Sequence, residues 1–308
     1  MSIYRGILNS DTDNNIKTKF LKQLVTEQTT IKNEDEYNKR LKFLYRACVG
    51  EYSSTTIFFS AVFGSHTFAS INNYDKFQTG LSVSLVACYV AIAMIFSYSE
   101  ISGANFNCCV SFSLWLTGKL SNRKLLLYII CQLLGGLTAL FIVYCSFDTQ
   151  ADLFDNLVRS PTGSKGHLFA SELLGTFILV YILFTIILED AEAQKKETKT
   201  FKYADGLTVY NTKGNKNTNA PFVFGFILFG ILNIGGVSGM ALNPVAVITP
   251  ALVTGKWNLV WLYLIAEFIG ASAASLIVHL QQIKVVETLE RNTIIGDDIN
   301  EISAPLIE

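Results

Sequence analysis

An internal repeat is the feature that most constrains the fold of this chain of 308 residues. Residues 101–107, with the sequence ISGANFN, match residues 237–243, with the sequence VSGMALN, position for position. A short apolar run follows each segment and ends in Thr-Gly-Lys, at 117–119 and at 254–256. Such internal symmetry predicts two structurally equivalent halves.

The apolar runs are long enough to test against a lipid bilayer, which a helix crosses with roughly 20 apolar residues. Six runs approach this length, at 43–69, 80–98, 124–146, 168–188, 220–237 and 258–281. Two further runs, 108–118 and 244–254, are too short to span and are expected to be buried or re-entrant. Half of the residues are hydrophobic and only 16% are charged, which excludes a disordered chain and indicates an integral membrane protein.

The composition also argues against other classes of function. A net charge of −1 is untypical of nucleic-acid binders, so no nucleic-acid partner is expected. The sequence shows no nucleophile constellation of Ser, His and acid and no phosphate-binding glycine loop after a strand, so catalysis is not expected. No His or acidic residue lies near Cys108 and Cys109 in the sequence, so neither a metal site nor a cofactor is expected there.

Each half contains three predicted spans, with one of the short runs between its second and third span. An odd number of spans per repeat places the two halves in the membrane with opposite orientation. The short runs then enter from opposite faces as half-helices that meet N-terminus to N-terminus. Asn107 and Asn243 stand where N-caps are needed, and Pro244 fills the first helical position of the second half-helix. Because helix N-termini carry positive partial charge, these residues predict a pore selective against cations.

Lysine and arginine in the loops predict the orientation. The stretches 119–124 and 189–219 are richer in these residues than the opposite loops, which places both termini in the cytoplasm. We therefore expect a cytoplasmic tail at 1–42, a channel domain at 43–281 and a second cytoplasmic tail at 282–308. The two repeats of the domain are 43–146 and 168–281. For the first tail we expect mostly disorder, with an amphipathic turn near residues 20–25 as the alternative, and for 189–219 a solvated linker or a gate.

Four groups of residues carry a resemblance to a known family. They are Ser102-Gly103-Ala104 with Asn107, Leu116-Thr117-Gly118, Ser238-Gly239 with Leu242-Asn243-Pro244-Val245, and the helix-start glutamates Glu51 and Glu172. Over about residues 43–281 the chain resembles the aquaporins, the major intrinsic protein family. The resemblance implies an all-α integral membrane protein with six transmembrane helices plus two re-entrant half-helices in an inverted three-plus-three repeat. It also implies a homotetramer in the lipid bilayer, with a path for water or a small neutral solute in each protomer.

The signature of the family, Asn-Pro-Ala, is altered in both halves. The first half reads Asn107-Cys108-Cys109 and the second reads Asn243-Pro244-Val245. Both asparagines persist, so we expect two donors at the junction. Loss of proline at position 108 removes a fixed φ, and Cys109 and Val245 are bulkier than alanine, so the junction is expected to be tighter or displaced. The two thiols either line the path or only pack.

The resemblance also implies an outer filter of four residues. At these positions the chain differs more from the family pattern than it does at the signature. The arginine of the family falls on Ala246, the aromatic residue on Ala87, the histidine on Ile231 within one residue, and the remaining position on Met240. Such a filter has no fixed charge and no side-chain donor. Two alternatives follow, namely a wider path that admits solutes larger than water, or an apolar plug that closes a non-conducting, scaffold-like member.

The resemblance also implies a role for two buried glutamates. It implies that Glu51 and Glu172 brace the two re-entrant loops by accepting backbone hydrogen bonds. Glu267, in the sixth span, has no such counterpart in the family pattern, and a neutral carboxyl and an interface-facing carboxyl remain alternatives.

Overall fold

The computed structural model of the chain describes residues 11–147, 157, 163–196, 199–202, 208–211, 219–235 and 238–302. Its elements in chain order are α1 (Asp11–Ile71), α2 (Lys76–Tyr98), α3 (Cys108–Leu116), α4 (Asn122–Phe147), α5 (Lys165–Lys196), β1 (Lys199–Lys202), β2 (Thr208–Asn211), α6 (Ala220–Ile234), α7 (Pro244–Thr254) and α8 (Val260–Ile302). The fold is that of an all-helical membrane protein. One antiparallel hairpin is added to it, in which Lys199 of β1 lies opposite Asn211 of β2.

The apolar runs of the sequence all lie on helices. Those predicted to span overlap α1, α2, α4, α5, α6 and α8, and the two short runs overlap α3 and α7. Among the described residues, four stretches are long and apolar enough to cross a membrane by themselves, at Lys76–Tyr98, Asn122–Phe147, Lys165–Ile186 and Val260–Gln281. Helix α6 is shorter than predicted and ends at Ile234, where Gly235 leaves the helical conformation.

The termini and the long loop differ most from the sequence prediction. Residues 1–47 form one structural unit and residues 48–308 a second. The expectation of disorder at 1–42 is wrong for its described part, because α1 already begins at Asp11 in a stretch without Gly or Pro. Helix α8 likewise continues to Ile302, and α5 runs on to Lys196 before the hairpin. The rest of the predicted 189–219 linker lies partly outside the described residues, at 197–198, 203–207 and 212–218.

Glycines allow the helices of the second unit to cross closely. A Cβ added at Gly135 of α4 would lie 2.8 Å from the carbonyl oxygen of Tyr52, and one added at Gly270 of α8 would overlap the carbonyl oxygen of Leu173. The two crossings are equivalent in the repeat, since each joins the third helix of a half to the first. Small residues at such crossings let helix backbones pack without intervening side chains, as is usual in membrane bundles.

Large apolar side chains cover much of the outer surface. Exposed examples are Phe77, Tyr89, Leu126, Phe141, Phe226, Trp261 and Leu276. A water-soluble monomer rarely exposes apolar surface of this extent, whereas a lipid environment favours it. The buried core includes residues of the loops that precede α3 and α7, among them Phe106 and Leu242.

Candidate functional site

The two half-helices begin at the centre of the bundle, each at an asparagine. Asn107 caps α3 because its Oδ1 accepts a hydrogen bond from the backbone N–H of Cys109 at 2.8 Å. Asn243 caps α7 in the same way, with Oδ1 accepting from the N–H of Val245 at 3.1 Å. Both asparagines have extended backbone conformations, as N-cap residues do. Their side-chain oxygens are thus turned toward the helices.

The amide nitrogens of the same asparagines join the two halves. Asn107 Nδ2 donates to the carbonyl oxygen of Leu242 at 2.9 Å, and Asn243 Nδ2 donates to the carbonyl oxygen of Phe106 at 2.9 Å. The backbone N–H of Cys108 also donates to Asn243 Oδ1 at 3.4 Å. The N-termini of α3 and α7 therefore meet. Each amide nitrogen carries two hydrogens, and these bonds use one of them.

A buried glutamate holds the loop before each half-helix. In the first half, Glu51 accepts from the N–H of Asn105 at 3.0 Å and from that of Phe106 at 2.9 Å. In the second half, Glu172 accepts from the N–H of Ala241 and from that of Leu242, both at 3.0 Å. Both carboxyl groups are fully buried. A carboxylate that accepts two backbone N–H groups satisfies donors that would otherwise be costly to bury.

These hydrogen bonds offset the energetic cost of an unusual backbone conformation in the two loops. Ala104 and Phe106 in the first loop and Met240 and Leu242 in the second all have positive φ, between 33° and 54°. Positive φ costs a non-glycine residue about 1–2 kcal/mol, so the loops need external support. In each loop the two residues with positive φ are separated by one residue without it. This alternation turns successive N–H groups to one side, where they form a concave binding site for one carboxylate.

A pair of tyrosines, whose role was not predicted from the sequence, completes the support of the two loops. Tyr128 Oη donates to the carbonyl oxygen of Ser102 at 2.5 Å, and Tyr263 Oη donates to that of Ser238 at 2.7 Å. Both tyrosines are buried. Their matching positions in the repeat, each after a leucine in the third span of its half, were the available signal.

A cavity of about 60 Å³ lies beside the junction. Its lining residues are Phe58, Phe59, Val62, Val83, Ala87, Phe106, Asn107, Leu179, Phe224, Leu228, Leu232, Gly239, Met240, Ala241, Leu242, Asn243 and Ala246. Among these described residues only Asn107 and Asn243 carry polar side chains. A volume of this size holds about two water molecules.

Three of the four predicted filter residues line this cavity, namely Ala87, Met240 and Ala246. Ile231 does not. It is buried on another face of α6, where its Cγ2 would lie 3.3 Å from a Cβ added at Gly175 of α5. The lining positions of α6 are Phe224, Leu228 and Leu232, which follow one another at intervals of four residues and share one helix face. Leu232, one residue beyond the predicted Ile231, is therefore the neighbouring α6 residue that lines the cavity.

Met240 closes one side of the cavity. Its Sδ lies 2.8 Å from where a Cβ at Gly175 would stand, and a Cβ at Gly235 would overlap its Cγ. The side chain thus fills a slot that two glycines leave open. Its repeat counterpart in the first half is the smaller residue Ala104.

Aromatic rings form the opposite part of the lining. The ring centroid of Phe106 lies 5.0 Å from that of Phe58 and 6.3 Å from that of Phe224. All three residues line the cavity. These positions were not predicted, because a phenylalanine in an apolar span carries no distinguishing signal.

The remaining junction residues pack rather than line the cavity. Cys108 and Cys109 are buried, and neither is among the described lining residues. Val245 is also fully buried, and a Cβ at Gly136 of α4 would overlap its Cγ1. Pro244 is buried at the first position of α7. Of the two alternatives for the thiols, the geometry favours packing.

Comparisons with known proteins agree with this geometry. The family model described as "Major intrinsic protein" matches residues 38–278. Aquaporin-B of Dictyostelium discoideum is 34% identical over 250 residues, which cover 78% of this chain and 84% of that protein. An aquaporin of Vairimorpha ceranae is 30% identical over 234 residues, with coverage of 72% and 89%. In fold, the chain is similar to the X-ray structure of the aquaglyceroporin from Plasmodium falciparum, with a TM-score of 0.60, 20% identity and coverage of 77% of this chain and 99% of that one.

Proposed function

Since the chain belongs to the major intrinsic protein family, we propose that its path for solutes runs through the cavity between Asn107, Asn243, Ala87 and Ala246. The protein is a multi-pass integral membrane protein of a family of channels for water or small solutes, which are not enzymes. The observation that carries the proposal is the reciprocal bonding of the two asparagines at the cavity. It leaves on each amide one hydrogen for a passing solute.

The same junction supports exclusion of ions. The N-termini of α3 and α7 meet at Asn107 and Asn243, and each helix end is equivalent to roughly half a positive charge. The other lining side chains are apolar and offer nothing to replace the hydration shell of an ion. A cation therefore meets both an electrostatic and a desolvation barrier, whereas a neutral solute meets neither at full strength.

The lining supports passage of solutes larger than water. Alanine at positions 87 and 246 removes bulk and the arginine donors from the wall, while Leu232 and Met240 refill part of the space. We propose that small polar solutes such as glycerol or urea pass together with water. The second candidate, a closed scaffold-like member, is favoured by one observation, namely that Met240 occupies the slot beside Gly175 and Gly235.

The wider arrangement is proposed from the loops and the outer surface. The lysine-rich stretches 119–124 and 189–219 support a cytoplasmic position for both termini, with the channel domain at 43–281 between two tails. Exposed apolar residues such as Phe226 and Trp261 are available to lipid or to neighbouring protomers, as a homotetramer requires.

A solute series on reconstituted vesicles tests the proposal. Purified protein is incorporated into liposomes, and stopped-flow light scattering follows swelling with water alone, urea and glycerol. We expect water, urea and glycerol permeability above that of protein-free vesicles. Permeability for water alone would contradict the wider path, and permeability equal to that of empty vesicles would favour the closed scaffold.

A further inference from the structure

Helices α1 and α4 run in the same direction where they pack against each other. Gln132 Nε2 of α4 donates to Glu51 Oε2 of α1 at 2.8 Å. Further along both helices, a Cβ added at Gly64 would lie 3.6 Å from the ring of Phe147. Residue numbers therefore rise together along this contact, which we call the α1–α4 seam.

Two cysteines meet at the α1–α4 seam, one helical turn before the crossing at Gly135. A Cβ added at Gly135 would lie 2.8 Å from the carbonyl oxygen of Tyr52. Cys131 precedes Gly135 by four residues, and Cys48 precedes Tyr52 by four residues. Residues four apart lie on the same face of a helix, so both cysteines belong to the contact faces. Their thiols are within hydrogen-bonding reach of each other.

The exposure of this pair differs from that of the other cysteines in the bundle. Cys48 and Cys131 are half-buried, whereas Cys88, Cys108 and Cys109 are buried. Thiol oxidation requires access as well as a reactive sulfur. A small uncharged reagent therefore reaches both members of the pair from the outer surface of the seam.

The equivalent seam of the second half contains no thiol. The bracing glutamates and the loop-binding tyrosines align the two halves, and the residues equivalent to Cys48 and Cys131 are then Phe169 and Ala266. Phe169 packs against the hydrophobic core, and Ala266 is fully buried. Apolar side chains are thus sufficient for packing at this crossing, and the pair of thiols is specific to the first half.

We propose that Cys48 and Cys131 form a reversible oxidation site, in which a hydroperoxide converts the two thiols into a disulfide between α1 and α4. Contact between two partly accessible thiols is the observation that carries the proposal. Two helices that already cross without intervening side chains need little movement to bring the sulfurs into bonding distance.

The reaction balances with hydrogen peroxide as the oxidant. One thiolate attacks a peroxide oxygen, the O–O bond breaks, and a sulfenic acid and hydroxide form. The second thiolate attacks the sulfenic sulfur, so that the S–S bond forms, the S–O bond breaks and a second hydroxide leaves. The two hydroxides take up the two protons of the thiols as water. The thiols lose two electrons and the peroxide gains them, and a thiol reductant reverses the step by exchange.

The disulfide would tie together the two helices that support the first loop. Cys131 is the neighbour of Gln132, and Cys48 lies three residues before Glu51, the glutamate to which Gln132 donates. A cross-link constrains the unfolded chain and thereby raises the stability of the folded one. Neither cysteine is among the described residues that line the cavity. Oxidation is therefore expected to stabilise the first half without closing the path.

Peptide mapping tests the disulfide directly. Trypsin places Cys48 in peptide 47–76 and Cys131 in peptide 125–159, which also contains Cys145. Full-length Cys145→Ser protein in detergent is therefore treated with hydrogen peroxide, alkylated with N-ethylmaleimide and digested. We expect the two peptides to be joined in a chain that runs as a monomer on a non-reducing gel, and to separate with dithiothreitol. Peptides that are alkylated, oxidised to sulfinic acid or joined only between two chains would overturn the proposal.

Variants of the same Cys145→Ser protein test the tether. Peroxide should raise its melting temperature by several degrees, and dithiothreitol should reverse the rise. Cys48→Phe with Cys131→Ala reproduces the residues of the second half and should abolish the rise, as should the smaller change Cys48→Ser. A rise that persists in both variants, or no rise in the protein that carries the cross-link, would overturn the tether. These readouts do not require conduction, so a closed channel would overturn only the proposed function.

Discussion

Asn107 and Asn243 are related by an exchange of hydrogen bonds, in which the amide of each reaches the loop that precedes the other. Both bonds are 2.9 Å long, and their acceptors are the backbone carbonyl oxygens of Leu242 and Phe106. Each asparagine also caps its own half-helix. One residue type thus fixes the helix start, joins the halves and leaves a donor at the cavity.

Replacement of Asn243 by leucine removes all three functions. The loss of the N-cap should cost about 0.5–2 kcal/mol of stability, and flux should fall sharply because the second donor at the cavity is gone. The measurement is vesicle swelling per reconstituted protein, together with a thermal melt. Asn72→Leu is the matched control, since Asn72 is exposed in the turn after α1 and should leave flux unchanged. Unchanged flux in Asn243→Leu would place the path elsewhere.

Replacement of Glu172 by leucine should be among the most destabilising single changes. It leaves the N–H groups of Ala241 and Leu242 buried without their acceptor, at about 1–3 kcal/mol each. We expect a large drop in melting temperature and in flux. Glu100→Leu at an exposed position is the control. Equal stability of the two variants would show that the second loop does not need this acceptor.

Replacing the two buried thiols is predicted to have little effect on flux. Because Cys108 and Cys109 do not line the cavity, their joint replacement by alanine should preserve flux, at a stability cost of about 1 kcal/mol each for lost packing. Any inhibition by a small mercurial should persist in this double variant. Loss of that inhibition would place a reactive thiol at the path and reverse the packing interpretation.

Introducing at position 246 the arginine of the family pattern tests the width of the path. Ala246→Arg adds bulk, donors and charge to the wall, so uptake of glycerol or urea should fall several-fold more than water flux. Ala246→Met, which adds bulk without charge, separates the steric effect from the electrostatic one. Equal loss of both fluxes, or a gain of water flux in a silent channel, would support the closed alternative.

The sequence predicted the parts of the fold that the repeat encodes. The half-helices, the two asparagines and the family were readable because matching motifs with short apolar runs leave few other arrangements. The α6 residue that lines the cavity is Leu232, one residue from the predicted Ile231, since counting back from Asn243 passes the end of α6 at Gly235. The phenylalanines of the cavity were missed because burial of an aromatic residue looks the same in any apolar span.

The helices of the two termini were missed for another reason. The polar stretch from Asp11 gave no apolar pattern, although its residue types favour a helix. Glu267 lacked a counterpart because the repeat pairs it with Gln132, a residue of another type.

The temperature dependence of osmotic swelling tests the central claim most directly, because water in a preformed path does not have to dissolve in lipid. Vesicles containing the wild-type protein are predicted to swell faster than empty vesicles, with a shallower dependence on temperature and with no ionic current in a parallel bilayer recording. Swelling with the rate and the steep temperature dependence of empty vesicles, or a cation current, would contradict a neutral-solute path between Asn107 and Asn243.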